Sequence, residues 1–170
     1  MLNGDEDEDP WELSPETAHP KAAQILTDEF FWDCSDENSP FGSDTGADTL
    51  AFFRVWRKEH PRSNPSEFLG QILREVFEVP DAHWNVIEPD QVREMLTGSE
   101  YDVSVRDDAV IAVAFGQIVL EGDVEAEIKR RALSALQRQA LPFVISQRGW
   151  VSSRERIERL RRMREVLGGL

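Results

Sequence analysis

The sequence predicts an all-α, single-domain bundle of about six to seven helices, packed around a buried central helix near residues 107–120. Three observations support this fold class. Apolar residues recur at helical spacing, most such segments begin at a capping residue and end at glycine or proline, and no segment alternates convincingly like a half-buried strand. At 170 residues, 40% of them hydrophobic, the chain is long enough to enclose a core.

The helical domain is predicted to span residues 11–170. Residues 1–10 are expected to form a mobile acidic tip, because five consecutive carboxylates stand there without an apolar residue among them. The first helix is predicted to begin near Ser14 or at His19-Pro20, since proline suits a first helical turn. Its apolar face continues to about Trp32.

Two helices follow a loop that turn-forming residues predict over 33–43. The first of these helices covers about 44–59, and its wide apolar surface predicts that much of it is buried. The second begins at Asn64, which can cap the exposed amides ahead of a proline at the first helical position. Its apolar residues keep helical spacing to Phe77, and Pro80 ends it.

The central helix follows an ambiguous region. Residues 78–88 read best as a loop, with a strand left open, and a short helix over 90–96 is stopped by Gly98. Ser104 then opens a strongly apolar segment that Gly122 ends. The length and the alanines of this segment favour a helix over a buried strand.

Two helices close the predicted bundle. Asp123 can cap a helix that continues to about Gln139, where the following Leu141-Pro142 breaks it. Ser152 caps the last helix, which ends before the glycines at 168 and 169.

Charge is distributed unevenly along the chain. The net charge of −14 divides into −13 over residues 1–48, −9 over 49–127 and +8 over 128–170. This distribution argues against nucleic-acid binding by the body of the protein, because a phosphate backbone would be repelled. It also predicts that the two ends attract each other, within one chain or between two chains.

Location and chemistry are predicted from what the sequence lacks. No apolar run approaches the ~20 residues that cross a bilayer, and the first residues do not resemble a signal peptide, so we expect a cytoplasmic protein without membrane contact. The three histidines are scattered, and Cys34 has no basic neighbour in the sequence to activate it. We therefore predict no catalytic residue and no cofactor, although an enzyme is not excluded.

The segment Phe41–Asp48 has the most distinctive local sequence. Its aspartates, together with two in the preceding loop, could build an oxygen-rich cation site. The candidate metal ligands are Asp33, Asp36, Asp44 and Asp48. We favour the simpler interpretation, in which Ser43 or Asp44 caps a helix and the other acids are solvated.

The last helix carries six arginines between residues 154 and 164. One interpretation is a helix that binds nucleic acid or another anionic partner. The overall charge favours the other interpretation, a charged outer face that also neutralises the acidic N-terminal region.

The Phe41-Gly42-Ser43-Asp44…Ala47-Asp48 segment resembles the Phe-x-Asn-Asp-x-x-Ala-Asp helix start of a small bacterial domain family without established activity. The similarity extends loosely to the glycine-ended helix over 108–122 and to Trp150 before an arginine-rich helix, about residues 41–167 in all. Ser43 stands where the family has asparagine. The resemblance implies an all-helical fold and gives no catalytic residue.

Three functions remain as hypotheses. The leading one is a non-enzymatic protein-binding module with an acidic surface, for example an immunity-type inhibitor of a basic toxin. The alternatives are a metal-dependent hydrolase using the acids of 33–48, and a structural homodimer that pairs the acidic N-terminal segment with the partner's basic helix. The candidate partner-binding residues are Trp32, Phe41, Asp44, Asp48 and Trp84.

Overall fold

The computed structural model describes residues 12–170, which contain eight α-helices and no strand. The helices are α1 Pro20–Ile25, α2 Asp44–Glu59, α3 Pro65–Ile72, α4 Pro89–Gly98, α5 Glu100–Glu121, α6 Ala126–Gln139, α7 Pro142–Arg148 and α8 Ser153–Gly168. The all-α class is confirmed, with one helix more than the six to seven predicted. The predicted mobile tip at 1–10 lies outside the described residues. No helix in the described part is long and apolar enough to cross a membrane.

Helix α5 is the buried centre of the fold, as predicted. Nearly every residue from Val103 to Val119 is buried, and the helix packs mainly against α2 and α6. Its predicted start at Ser104 is wrong: the Ser99 side chain caps it, accepting a hydrogen bond from the Asp102 amide at 3.1 Å. Gly98 ends α4 only one residue earlier, so the short connection hid the true start. Gly122, at φ 72°, ends α5 as predicted.

The N-terminal helix is shorter than predicted. Helix α1 ends at Ile25, and a separate 3₁₀ turn, Glu29–Trp32, carries the rest of the apolar face. The predicted apolar residues Leu26 and Phe31 are buried all the same, because the break between the two elements keeps both on the core.

Three boundaries in the C-terminal half refine the prediction. The cap of α6 is Glu125 rather than Asp123, since its carboxylate accepts hydrogen bonds from two amides of the first turn at 3.0 Å. The sequence predicted only that Leu141-Pro142 breaks α6. In the structure Pro142 is also the first residue of a further helix, α7. Ser152 caps α8 as predicted. Residues 78–88 form a loop.

A buried ion pair joins α5 to α6. Arg138 and Asp107 are 1% and 2% exposed, and the Arg138 Nη2 atom lies 2.7 Å from Asp107 Oδ1. Arg138 Nη1 also donates to the carbonyl oxygens of Trp84 and Val86, at 2.9 Å each. Burial raises the pKa of Asp107, and the charge of Arg138 opposes that rise. The arginine thus connects two helices and the loop over 78–88.

We predict that Asp107→Asn destabilises the protein by about 3–5 kcal/mol, because it leaves the Arg138 charge buried without a counter-charge. The free energy of unfolding from urea denaturation measures the effect. Glu155→Gln, which removes the exposed pair with Arg159, is the control and should cost less than about 1 kcal/mol. Equal losses in the two variants would contradict the structural role of the buried pair.

Candidate functional site

The segment Phe41–Asp48, which contains the start of α2, is closely packed. Phe41 is 0% exposed in the core, and the Ser43 hydroxyl caps α2 by accepting a hydrogen bond from the Gly46 amide at 3.0 Å. A Cβ at Gly42 would lie 2.0 Å from the Asp36 carbonyl oxygen, and one at Gly46 would lie 2.6 Å from that of Pro40. The segment's glycines therefore allow the backbone of the loop to pack against itself.

The four aspartates predicted as metal ligands do not share a site. Two of them accept hydrogen bonds from nearby residues, and the other two are exposed to solvent. Asp33 accepts hydrogen bonds from the amide and the hydroxyl of Ser35 at 2.9 and 2.6 Å, which lower its pKa. Asp36 accepts one from the Asn38 amide at 2.9 Å, and Asp44 and Asp48 are exposed on α2. Within residues 12–170, no three His, Cys, Asp or Glu side chains are grouped to hold a metal ion. The metal-site hypothesis gains no support from this geometry.

The aromatic residues predicted to contact a partner pack against the protein itself. Trp32 is half-buried, with its indole N–H donating to the Leu26 carbonyl at 2.9 Å. Trp84 is 7% exposed and donates to Asp81 Oδ1 at 2.8 Å. Phe41 and Trp84 thus have little surface for a partner in this structure, whereas Asp44 and Asp48 do.

A largely apolar open surface lies elsewhere, in a groove between α2 and α3 with a volume of about 310 Å³. We call it the α2–α3 groove. Its lining residues are Phe52, Val55, Trp56, Glu59, His60, Phe68, Gln71, Ile72, Glu75 and Val76.

The groove has a buried aromatic floor and exposed apolar walls. On the floor, the buried ring of Trp56 contacts Phe68 with centroids 5.5 Å apart, and the exposed His60 ring stacks on Trp56 at 5.0 Å. The walls are Phe52 and Val55 on one side and Val76 on the other, which are 48%, 49% and 46% exposed. The expectation that much of α2's wide apolar surface is buried is therefore only partly correct, because its apolar residues surround more of the helix than the core covers.

A π turn over Leu73–Phe77 places Val76 at this groove. The sequence interpretation continued α3 with regular spacing, which would have turned Val76 inward. The wider turn shifts the register and ends at Glu78 in a left-handed conformation, φ 55°, where the Val79 amide donates to the Leu73 carbonyl at 2.9 Å. Such turns are often found at functional sites.

Carboxylates border the groove. Counting along α2, residues three or four apart share one face of a helix, so Asp44, Asp48, Phe52, Val55 and Glu59 form a continuous stripe. We call it the α2 stripe. It connects the two aspartates predicted from the sequence to the apolar wall that the sequence did not reveal.

The opposite border also carries a carboxylate. Glu75, at the edge of the π turn, accepts a hydrogen bond from Gln71 Nε2 at 3.1 Å. The groove is thus an apolar surface with acidic residues on both sides.

The arginines of α8 are largely matched within the domain. Arg161 pairs with Glu158 and Glu165 on the same helix. Arg162 pairs with Asp28 at 3.1 Å, so one acid of the N-terminal region does meet the basic helix within one chain.

One arginine of α8 is buried. Arg156 is 4% exposed, lies 4.0 Å from the Trp150 ring centroid and donates to Gln139 Oε1 at 2.7 Å. Burial lowers the pKa of Arg156 to about 10. These contacts favour the interpretation of α8 as an outer face that packs on and partly neutralises the fold.

Comparison with known proteins gives one informative similarity. The chain is 31% identical over 137 residues to a protein of Escherichia coli (strain K12) described as "Uncharacterized protein YfeS". The aligned region covers 81% of this chain and 56% of the relative, so the chain spans little more than half of that protein's length. No family model and no solved structure matches.

We predict that Gly46→Ala destabilises the protein by about 1–3 kcal/mol, because the added methyl group must displace the Pro40 carbonyl. Gly98→Ala is the matched control: a Cβ there meets nothing within 4 Å, so stability should stay the same or rise slightly. Thermal unfolding followed by circular dichroism compares the two. A loss in Gly98→Ala as large as that in Gly46→Ala would refute the close-packing explanation.

Proposed function

We propose that this protein is a non-enzymatic cytoplasmic module that binds a protein partner, and that the α2–α3 groove receives an amphipathic helix of the partner with basic residues beside its apolar face. The observation that carries the proposal is the convergence of Phe52, Val55 and Val76 over a buried aromatic floor. Grooves of this kind bind helices through apolar residues at helical spacing.

The chemistry of the groove supports a partner with this pattern. Covering apolar surface is worth about 25 cal/mol for each Å², so three half-exposed side chains in one place make a useful anchor. The carboxylates of Glu59 and Glu75 line the groove and would face basic residues of the partner. Asp48 stands four residues before Phe52 on the α2 stripe and adds a negative charge beyond the end of that wall.

The charge of the whole protein supports the same partner class. A net charge of −14 accelerates the encounter with a basic protein and makes binding sensitive to salt. An immunity-type inhibitor of a basic toxin is one form of this function, and the neighbouring genes would indicate whether such a toxin accompanies it.

We predict that Phe52→Ser combined with Val55→Ser abolishes capture of the partner. The tagged protein is used to recover partners from lysate of its source cells at low and moderate salt, and each recovered protein is purified and titrated alone. Affinity should fall at least tenfold in the double variant, because the apolar wall of the groove is lost. Tyr101→Ser is the control, since Tyr101 is 61% exposed and does not line the groove.

Three results would count against the proposal. If the wild type and the double variant capture the same proteins, the binding surface lies outside the groove. Light scattering that shows a dimer which the double variant converts to a monomer would assign the groove to a second copy of this chain. Calorimetric titration with magnesium, manganese or calcium that shows binding would favour the hydrolase hypothesis instead.

A further inference from the structure

A pocket with a volume of about 230 Å³ lies where the loop over 78–88 meets the junction of α4 and α5. Among the described residues, none lines both this pocket and the α2–α3 groove. We call it the Arg106 pocket, because a buried arginine of the central helix forms part of its wall. Its volume is below the roughly 300 Å³ at which pockets for drug-sized ligands begin, so the pocket suits a small molecule.

Arg106 is a buried cation whose hydrogen bonds are incomplete. It is 3% exposed, and within residues 12–170 its Nε atom has no hydrogen-bond partner. Its Nη1 atom donates to the Pro80 carbonyl oxygen at 3.4 Å, which is long for such a bond. Burial lowers the pKa of Arg106, and the charge of Asp107 opposes that fall. A buried polar atom without a partner is uncommon in folded proteins, so this one points to a ligand that supplies the acceptor.

The neighbouring buried arginine shows the difference. Arg138 donates to both carboxylate oxygens of Asp107 and to two carbonyl oxygens of the loop over 78–88. Arg106 lies next to Asp107 in the chain, but the hydrogen bonds that this carboxylate accepts come from Arg138. The guanidinium of Arg106 is therefore buried without the hydrogen bonds that Arg138 has.

A carboxylate lies one helical turn before Arg106. Asp102 and Arg106 are four residues apart on α5, so they share one face of the helix, and both line the pocket. The charge of Asp102 favours the charged form of Arg106, yet no direct ion pair joins the two side chains in the part of the chain that the structure describes. The pocket thus contains a cation and an anion that act on each other at a distance.

Apolar side chains complete the wall of the pocket. Met95 of α4 and Val103 of α5 line it together with Pro80 and His83 of the loop. His83 has a left-handed backbone, φ 65°, a strained conformation for a residue other than glycine, and such conformations cluster at ligand sites. The pocket therefore combines two opposite charges with an apolar surface.

These charges select the class of ligand. A simple anion would be attracted by Arg106 and repelled by Asp102, and a simple cation would meet the reverse. A zwitterion with a carboxylate and an ammonium group offers each side chain an opposite charge. The carboxylate suits Arg106 in particular, because the planar guanidinium can donate two parallel N–H bonds to its two oxygens.

We propose that the Arg106 pocket binds a free α-amino acid with an apolar side chain. The carboxylate of the ligand accepts a hydrogen bond from Arg106 Nε, its ammonium group faces Asp102, and its side chain lies against Met95 and Val103. The ligand supplies the acceptor that Arg106 lacks, and through His83 it joins the loop over 78–88 to α5. This inference goes beyond the proposed protein-binding function and does not depend on it.

Titration with L-leucine and two matched analogues tests the proposal. Isocaproate keeps the side chain and the carboxylate of L-leucine but lacks the ammonium group, and isoamylamine keeps the ammonium group but lacks the carboxylate. L-Leucine should shift the backbone amide signals of Ser99, Asp102 and Arg106 at about 10 mM, ten times a weak dissociation constant of about 1 mM. Each analogue should bind at least about tenfold more weakly, because it leaves one charge of the pocket without an opposite charge.

Charge variants assign each contact. Asp102→Asn should weaken L-leucine binding at least about tenfold and should strengthen isocaproate binding, because the repulsion between the two carboxylates is removed. The matched control, Asp90→Asn, changes an exposed aspartate in the first turn of α4 and should leave both affinities unchanged. Arg106→Lys keeps the positive charge but loses the planar pair of donors, so both ligands should bind more weakly. Amide signal dispersion verifies that each variant folds, and the pair at positions 102 and 90 decides the test if Arg106→Lys does not fold.

Two results would overturn the proposal. One is that none of L-leucine, L-valine, L-isoleucine and L-methionine shifts these amide signals at about 10 mM. The other is that isocaproate binds the wild type as tightly as L-leucine does, which would assign the pocket to simple carboxylates. Capture of a protein partner by the α2–α3 groove is measured separately, so the two proposals can fail independently.

Discussion

The ion pair between Asp107 and Arg138 is the interaction on which the arrangement of this fold depends. Each charge is almost fully removed from water, and a buried charge without its partner costs several kcal/mol. The pair therefore forms only when α5 and α6 are correctly aligned. Because Arg138 also donates to the carbonyls of Trp84 and Val86, the same alignment orders the loop over 78–88. That loop follows the π turn that completes the α2–α3 groove, so a core contact supports the proposed binding surface.

The neighbouring residue extends this network toward the C-terminal helices. Asp108 accepts hydrogen bonds from Gln139 at 2.8 Å and from Arg148 at 2.7 Å, which connect α5 to the end of α6 and to α7. Gln139 in turn accepts from Arg156 of α8 at 2.7 Å. Two consecutive aspartates on the central helix thus engage two consecutive residues of α6. This polar network links α7 and α8 to the central helix, and because polar pairs require specific geometry it constrains their positions.

The sequence was sufficient where local chemistry decides the structure. The cap at Asn64, the limits of α2 and the burial of the segment before Gly122 follow from residues close in the chain. It was insufficient where the surrounding tertiary structure decides which of several local conformations forms. Both Glu125 and Asp123 offer a carboxylate that could cap α6, and Pro142 can end one helix and begin the next. A π turn has no periodic pattern of apolar residues that would reveal it. The groove was not predicted for the same reason. The sequence shows that Val55 is apolar, but it does not show whether a neighbouring residue covers the side chain.

The most informative element is α2, which presents three different surfaces. Phe53 faces the core, Phe52 and Val55 line the groove, and Arg54 and Lys58 line a separate cleft at the end of α5. Such a helix has apolar residues on more than one side, which a single amphipathic pattern cannot represent. The charges follow the same division, with the carboxylate of Glu59 at the groove and the cations of Arg54 and Lys58 at the cleft. For the proposed basic partner, the net charge of −14 acts at a distance and does not depend on the side of approach, whereas specificity depends on which side of α2 the partner reaches.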